Sequence, residues 1–154
     1  MSEVIQSIMI HAMPTRVLEA FFDAKALASW WEVSRAVCVP RPLGSYAVEW
    51  EPTQWHDQLL GRLGGSFNGT VMDVVSGKEF FVAELYWHPP DGEPIGPMAL
   101  EVSCVYKGPF NTELRVRQSG CDPDSPRWVR YYEVMQAGWG VALGALKKYL
   151  EQRS

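Results

Sequence analysis

No run of apolar residues approaches the roughly 20 that a membrane-spanning helix needs. The first residues also lack the basic, apolar and small-residue order of a secretory leader. Both absences predict a soluble, cytoplasmic protein with no membrane partner. Basic clusters are missing as well: the formal charge of −4 comes from interspersed signs, so no surface is built to neutralise phosphates, and nucleic acid is excluded as a partner. Cysteine is scarce. Cys38, Cys104 and Cys121 are the only three, they form no CxxC pair, and they predict reduced thiols rather than a disulfide framework. His11, His56 and His88 lie far apart, with no carboxylate or cysteine at ligand spacing, so no metal site is predicted. A G-x-S-x-G elbow, a phosphate loop and a dinucleotide fingerprint are all absent, and no cofactor is expected. Cys38 and Cys121 would be the only nucleophiles, yet neither has a base near it in sequence, and unreactive thiols are expected. No catalytic residue can be named. Binding without chemistry is the favoured class.

What is present is aromatic. Seven tryptophans in 154 residues exceed the needs of an ordinary core and point to a lined pocket or an interface. A chain of this length makes one domain, residues 1–154, able to bury roughly 70% of its unfolded surface without staples. Its strongest pattern lies in the last thirty residues. Trp128, Tyr132, Met135, Trp139, Ala142, Leu143, Leu146 and Leu150 fall in a sector of roughly 100° on a helical projection. Ser125 is placed as N-cap and Pro126 as the first helical residue. Lys147, Lys148 and Arg153 sit near the end, where the helix dipole favours cations. A helix over Pro126 to Glu151 would be roughly 39 Å long, enough to cross a sheet. Gly138, Gly140 and Gly144 are costly inside it and call for an offset, either a close approach or a kink.

Before this helix the sequence alternates in strands. Glu3 to His11 reads as the first, followed by two short helices over Thr15 to Asp23 and Ala24 to Trp31. The Trp30-Trp31 pair is either a hydrophobic plug or a ligand contact. Further strands are predicted at Arg35 to Val39, Ser45 to Glu51, Phe67 to Val75, Glu79 to Trp87, Met98 to Lys107 and Thr112 to Gln118. Parity assigns Tyr46, Val48 and Trp50, then Phe81, Ala83, Leu85 and Trp87, then Met98 through Tyr106 to one apolar face. Within Pro52 to Gly65, Trp55, Leu59 and Leu63 recur every four residues, so this stretch is either one or two helical turns or a loop anchored by its own apolar residues. With no strand-helix-strand alternation after residue 31, the sheet should be an antiparallel meander, and the fold class is α+β with seven strands and the terminal helix on the inner face.

The ordered set Ala12-Met13-Pro14-Thr15-Arg16-Val17, Trp30-Trp31, Gly69-Thr70-Val71 and Gly138-Trp139 before Leu143, Leu146 and Leu150 resembles the family of activators of heat-shock protein 90 ATPase, in the START-like (SRPBCC) helix-grip superfamily. Leu43-Gly44-Ser45-Tyr46 and the long Pro52 to Gly65 connection depart from its pattern. The resemblance implies a curved sheet gripping the terminal helix around a cavity, and it implies no single activity. Three functions follow from pattern and resemblance together. The first is a carrier of a small apolar or aromatic ligand, lined by Trp50, Trp87, Tyr106, Tyr132, Met135 and Trp139. The second is a co-chaperone-like module binding a chaperone or other protein. The third is a cyclase- or hydrolase-type enzyme drawing on His56, His88, Arg62, Glu51, Asp73 or Gln118. Asp73 and Gln118 share parity with apolar residues and need partners, either structural or from a ligand. Val134, Ala137, Val141 and Ala145 form a small-residue strip on the helix back, consistent with a monomer or a weak homodimer.

Overall fold

The computed structural model describes residues 3–152. The chain runs β1 (Glu3–Ile10), α1 (Pro14–Glu19), α2 (Ala24–Trp30), β2 (Arg35–Cys38), β3 (Ser45–Trp50), β4 (His56–Asp57), β5 (Gly61–Arg62), β6 (Gly65–Val75), β7 (Glu79–His88), β8 (Ile95–Tyr106), β9 (Thr112–Ser119) and α3 (Pro126–Gln152). Seven strands form one antiparallel sheet in the order β1-β9-β8-β7-β6-β3-β2. The 27 residues of α3, about 40 Å of helix, lie on its inner face. This is the helix-grip arrangement. Residues 52–64 make no helical turn: β4 and β5 pair as a small separate hairpin. Of the two alternatives for this stretch the helical turns are not formed; Leu60 is buried and Leu63 packs half-buried on the core, whereas Trp55 and Leu59 are exposed.

Bulges decide which side chains point inward. In β7 Val82 pairs with Leu100 and Leu85 with Met98, so three residues of β7 span two of β8. Glu84 takes up the extra residue at φ 53°. The inward set is therefore Phe80 and Val82, then Leu85 and Trp87. Phe81 and Ala83, expected inside, are displaced by this switch of parity. Gly69 of β6 packs against the same bulge: a Cβ there would lie 2.8 Å from Val82 Cγ1 and 2.9 Å from the Ala83 carbonyl oxygen. A second irregularity, between Val71 and Asp73, turns Asp73 outward and brings Val74 against the core. Such bulges bend a sheet, and a bent sheet can wrap a helix.

α3 begins as its sequence predicts, with the Trp128 amide donating to Ser125 Oγ at 3.4 Å. Tyr132, Trp139, Ala142, Leu143, Leu146 and Leu150 of the projected stripe are buried, joined by Tyr131, while Trp128 and Met135 are half-buried. Lys147 does more than meet the helix dipole. Its Nζ donates to the Met9 carbonyl and to Glu151, both at 2.7 Å. With Gln136 Nε2 donating to the Ile5 carbonyl at 3.4 Å, it covers the outer edge of β1, where unpaired strand groups invite aggregation. Arg153 lies outside the described residues. The glycines are not explained by close packing throughout: a Cβ at Gly138 or Gly144 would meet nothing within 4 Å, and one at Gly140 would touch only Gln6.

Candidate functional site

A cleft of about 360 Å³ opens between the first half of α3 and one end of the sheet. Its helical wall is Tyr131, Val134, Met135, Gly138 and Trp139, the i, i+3, i+4, i+7, i+8 series of one helix face. Opposite stand Trp50 at the end of β3, Phe67 in β6 and Trp87 near the end of β7, and Trp31 closes the wall after α2. Thr53, Leu63 and Gly64 on the approaches to the β4–β5 hairpin complete one side, with Glu32 and Glu51.

The rings are held against one another and against backbone acceptors. Trp31 contacts Trp139 at 4.9 Å and Trp50 edge-on at 5.1 Å between centroids, and Trp87 stacks on Tyr131 at 4.8 Å. The indole N–H of Trp50 donates to the Trp31 carbonyl and that of Trp87 to the Gly64 carbonyl, both at 2.8 Å. Each bond fixes its indole and satisfies its polar edge, leaving an apolar wall. The Trp30-Trp31 pair is divided. Trp30 is buried with its N–H on the Ala20 carbonyl at 2.9 Å, whereas Trp31, stacked parallel on it at 5.1 Å, faces the cleft.

Four of the six residues expected to contact a ligand, Trp50, Trp87, Met135 and Trp139, meet on this cleft. Tyr132 does not line it: it is wholly buried, among Trp128 and Tyr131. Tyr106 is half exposed, and its hydroxyl accepts a hydrogen bond from the Phe110 amide at 3.1 Å. β8 explains this, since Trp87 pairs with Ile95 at the cleft end and Tyr106 lies at the other end of the strand, about 35 Å away. Shared parity is not shared position. Phe67, Tyr131 and Gly138 were not among the expected ligand contacts, and of the Trp30-Trp31 pair Trp31 is the one on the cleft; the helical spacing of Tyr131, Val134, Met135 and Gly138 was the signal that could have found Tyr131 and Gly138.

The polar candidates scatter. Glu51 lines the cleft, and Asp73 is on the outer face. His88 Nε2 is 2.9 Å from Asn68 Oδ1. His56 is exposed, and Arg62 lies 3.8 Å from Asp91. Gln118 is wholly buried, its Oε1 accepting from Trp139 Nε1 at 2.9 Å and its Nε2 facing Met98 Sδ at 3.3 Å. The buried phenol oxygens of Tyr131 and Tyr132 have no hydrogen-bond partner, and Gln118, close enough to perturb the Tyr131 hydroxyl, makes no bond of regular geometry with it. Burial pushes both phenols up. Burial likewise raises the Cys38 thiol to about 11 and the Cys104 thiol to about 12, so neither supplies a thiolate near neutral pH. No group of three or more histidine, cysteine or acidic residues suited to a metal occurs among the described residues.

The hairpin wall is tied to the helix. Arg130 Nε meets Asp57 Oδ1 at 2.7 Å, and the Asp57 side chain is 8% exposed. Its Oδ2 accepts from the Leu59 and Leu60 amides at 3.0 and 3.1 Å. Burial raises the Asp57 carboxyl, but Arg130 and the two amides outweigh it and hold the group below the usual carboxylate range.

A bent antiparallel sheet closed on a terminal helix over an aromatic cleft places this chain in the helix-grip class. It belongs to the family described as Activator of Hsp90 ATPase homolog 1-like protein, whose profile matches residues 11–151. Solved structures share the fold at low identity. Protein MLL2253 from Mesorhizobium loti is 18% identical with a TM-score of 0.73, covering 99% of this chain and 98% of that one. The AHSA1 protein from Silicibacter pomeroyi is 14% identical with a TM-score of 0.73, over 99% and 100%. The Aha1 dimer from Colwellia psychrerythraea is 15% identical with a TM-score of 0.68, over 98% and 97%. No curated protein matches the sequence significantly. Among the described residues no helix is long and apolar enough to cross a membrane.

Proposed function

We propose that this protein binds a small apolar or aromatic molecule in the cleft between α3 and the sheet, without chemistry on it. One observation carries the reading: the cleft-facing series of α3 is interrupted at Gly138, where a Cβ would meet nothing within 4 Å. A larger residue would fill that space and remove a glycine from a helix interior, where it costs about 1 kcal/mol relative to alanine. The chain instead keeps a gap in a wall of indoles. The volume of about 360 Å³ lies within the usual range for small-molecule pockets.

The test is a titration of fatty acids, flavonoids and polyketide-like aromatics against the protein and Gly138→Leu, read by tryptophan emission and thermal midpoint. A ligand of this class should shift both signals in the parent, because Trp31, Trp50, Trp87 and Trp139 border the cleft, and shift neither in the variant. If no ligand moves either signal, the reading fails. A protein-interaction role, for which Trp55 and Leu59 are exposed on the hairpin segment, then takes precedence.

A further inference from the structure

Two of the tryptophans on the cleft are each followed directly by a glutamate, Trp31-Glu32 and Trp50-Glu51. Both glutamates line the same cleft as their tryptophans, and no lysine, arginine or histidine does. Neither carboxylate is ion-paired among the described residues. The guanidinium that senses Glu51, Arg35, is committed to Glu49 at 2.7 Å. Elsewhere around the cleft, Arg130 is held by Asp57 and Glu133. Every charged residue lining the cleft is therefore negative, and six of its lining residues are aromatic: Trp31, Trp50, Phe67, Trp87, Tyr131 and Trp139.

Glu32 adds a second observation. It follows α2 with φ 57°, the left-handed conformation that lets the chain leave the helix with the Val33 amide on the Leu27 carbonyl at 3.3 Å. Glycine or asparagine is the usual occupant of that position, because a longer side chain is strained there. A glutamate stands where folding alone would favour glycine, and it lies at the cleft.

We infer that the cleft selects a cationic ligand: an aromatic or apolar molecule bearing an ammonium group, with its body among the indoles and its charge beside Glu32 and Glu51. Indole rings attract cations through the ring quadrupole, and the two solvent-exposed, unpaired carboxylates add a salt-sensitive field of the same sense. An anionic ligand, such as a fatty acid, is disfavoured by the same groups. This rests on the ligand-binding reading above and adds the sign of the charge.

The experiment compares three naphthyl probes by calorimetry at low salt: naphthalen-2-ylmethyl-trimethylammonium, neutral 2-naphthylmethanol and anionic 2-naphthylacetate. The cation should bind roughly 10-fold more tightly than the alcohol, given the usual strength of such contacts, and the acetate more weakly than either. In E32Q/E51Q the ratio of cation to alcohol affinity should fall to within about 2-fold, and raising salt should lower the same ratio in the parent protein. Glu32→Gly should lower the ratio without lowering the thermal midpoint, which separates loss of the carboxylate from loss of folding. Equal affinities in the parent, or a preference that survives E32Q/E51Q, would overturn the charge assignment and leave the apolar cleft standing. Failure of all three probes to bind would overturn both.

Discussion

The carboxamide of Gln118 on β9 accepts the indole N–H of Trp139 on α3 at 2.9 Å, with both side chains buried. This bond joins the sheet to the helix at the inner wall of the cleft, and it orients the one indole contributed by α3 to that wall. Gln118 thus holds a ring that faces the cleft without lining it.

Removing Gln118 should therefore be costly. Gln118→Leu leaves the Trp139 N–H buried without an acceptor, a loss of about 1 to 3 kcal/mol. Chemical denaturation measures it. Combined with Trp139→Phe, which has no N–H to orphan, the same substitution should cost less, so the two effects will not add. Additivity would mean that the bond does not form.

The glycines of α3 give a stability test with a functional control. Gly138→Ala and Gly144→Ala both project into open space and should each raise stability by about 0.5 to 1 kcal/mol. Only the first sits on the cleft. Gly144→Ala should leave ligand-induced tryptophan shifts unchanged, whereas bulkier residues at 138 abolish them.

Leu146 is fully buried under the sheet, and Leu146→Ala should cost about 2 to 5 kcal/mol, as for other buried leucines. A loss below about 0.5 kcal/mol, the range of surface positions, would contradict the packing of α3.

The Asp57 anchor predicts acid sensitivity of the hairpin wall. Because its carboxyl is held below the ordinary value, the contribution is present above the unfolded pKa of about 3.9 and is lost as pH falls through the lower folded value. Hydrogen exchange at the Leu59 and Leu60 amides, which donate to Asp57, should show protection at pH 7 that declines in acid. Asp57→Asn should reduce that protection at neutral pH and flatten its pH dependence. Unchanged exchange in the variant would mean that the hairpin is held by other contacts.

The raised thiols make a simple labelling prediction. Cys38 and Cys104 should react slowly with iodoacetamide at pH 8 in the native protein and rapidly after unfolding, because burial disfavours the thiolate. Rapid native labelling of Cys38 would reopen a nucleophilic role, and rapid labelling of Cys104 would contradict its burial in the core.

The linear order of alternation and helical periodicity determined the seven strands, the three helices and the terminal stripe, because these depend on local spacing and on which residues avoid water. That Trp50, Trp87, Met135 and Trp139 face the space between sheet and helix followed from those same patterns. Tertiary structure decided the rest. An extra residue at Glu84 exchanges the faces of Phe81 and Val82, and strict alternation carries no mark of a bulge. The length of β8 separates Tyr106 from the ring cluster that it matches in parity. Gly138 is only a weak helix residue until the opposite wall is in place; then its missing side chain becomes part of a cavity. Strand parity tells which side of the sheet a side chain occupies. How far along the bent sheet the helix packs closely, and where it lifts away, depends on contacts between residues a hundred positions apart, and the cleft exists only there.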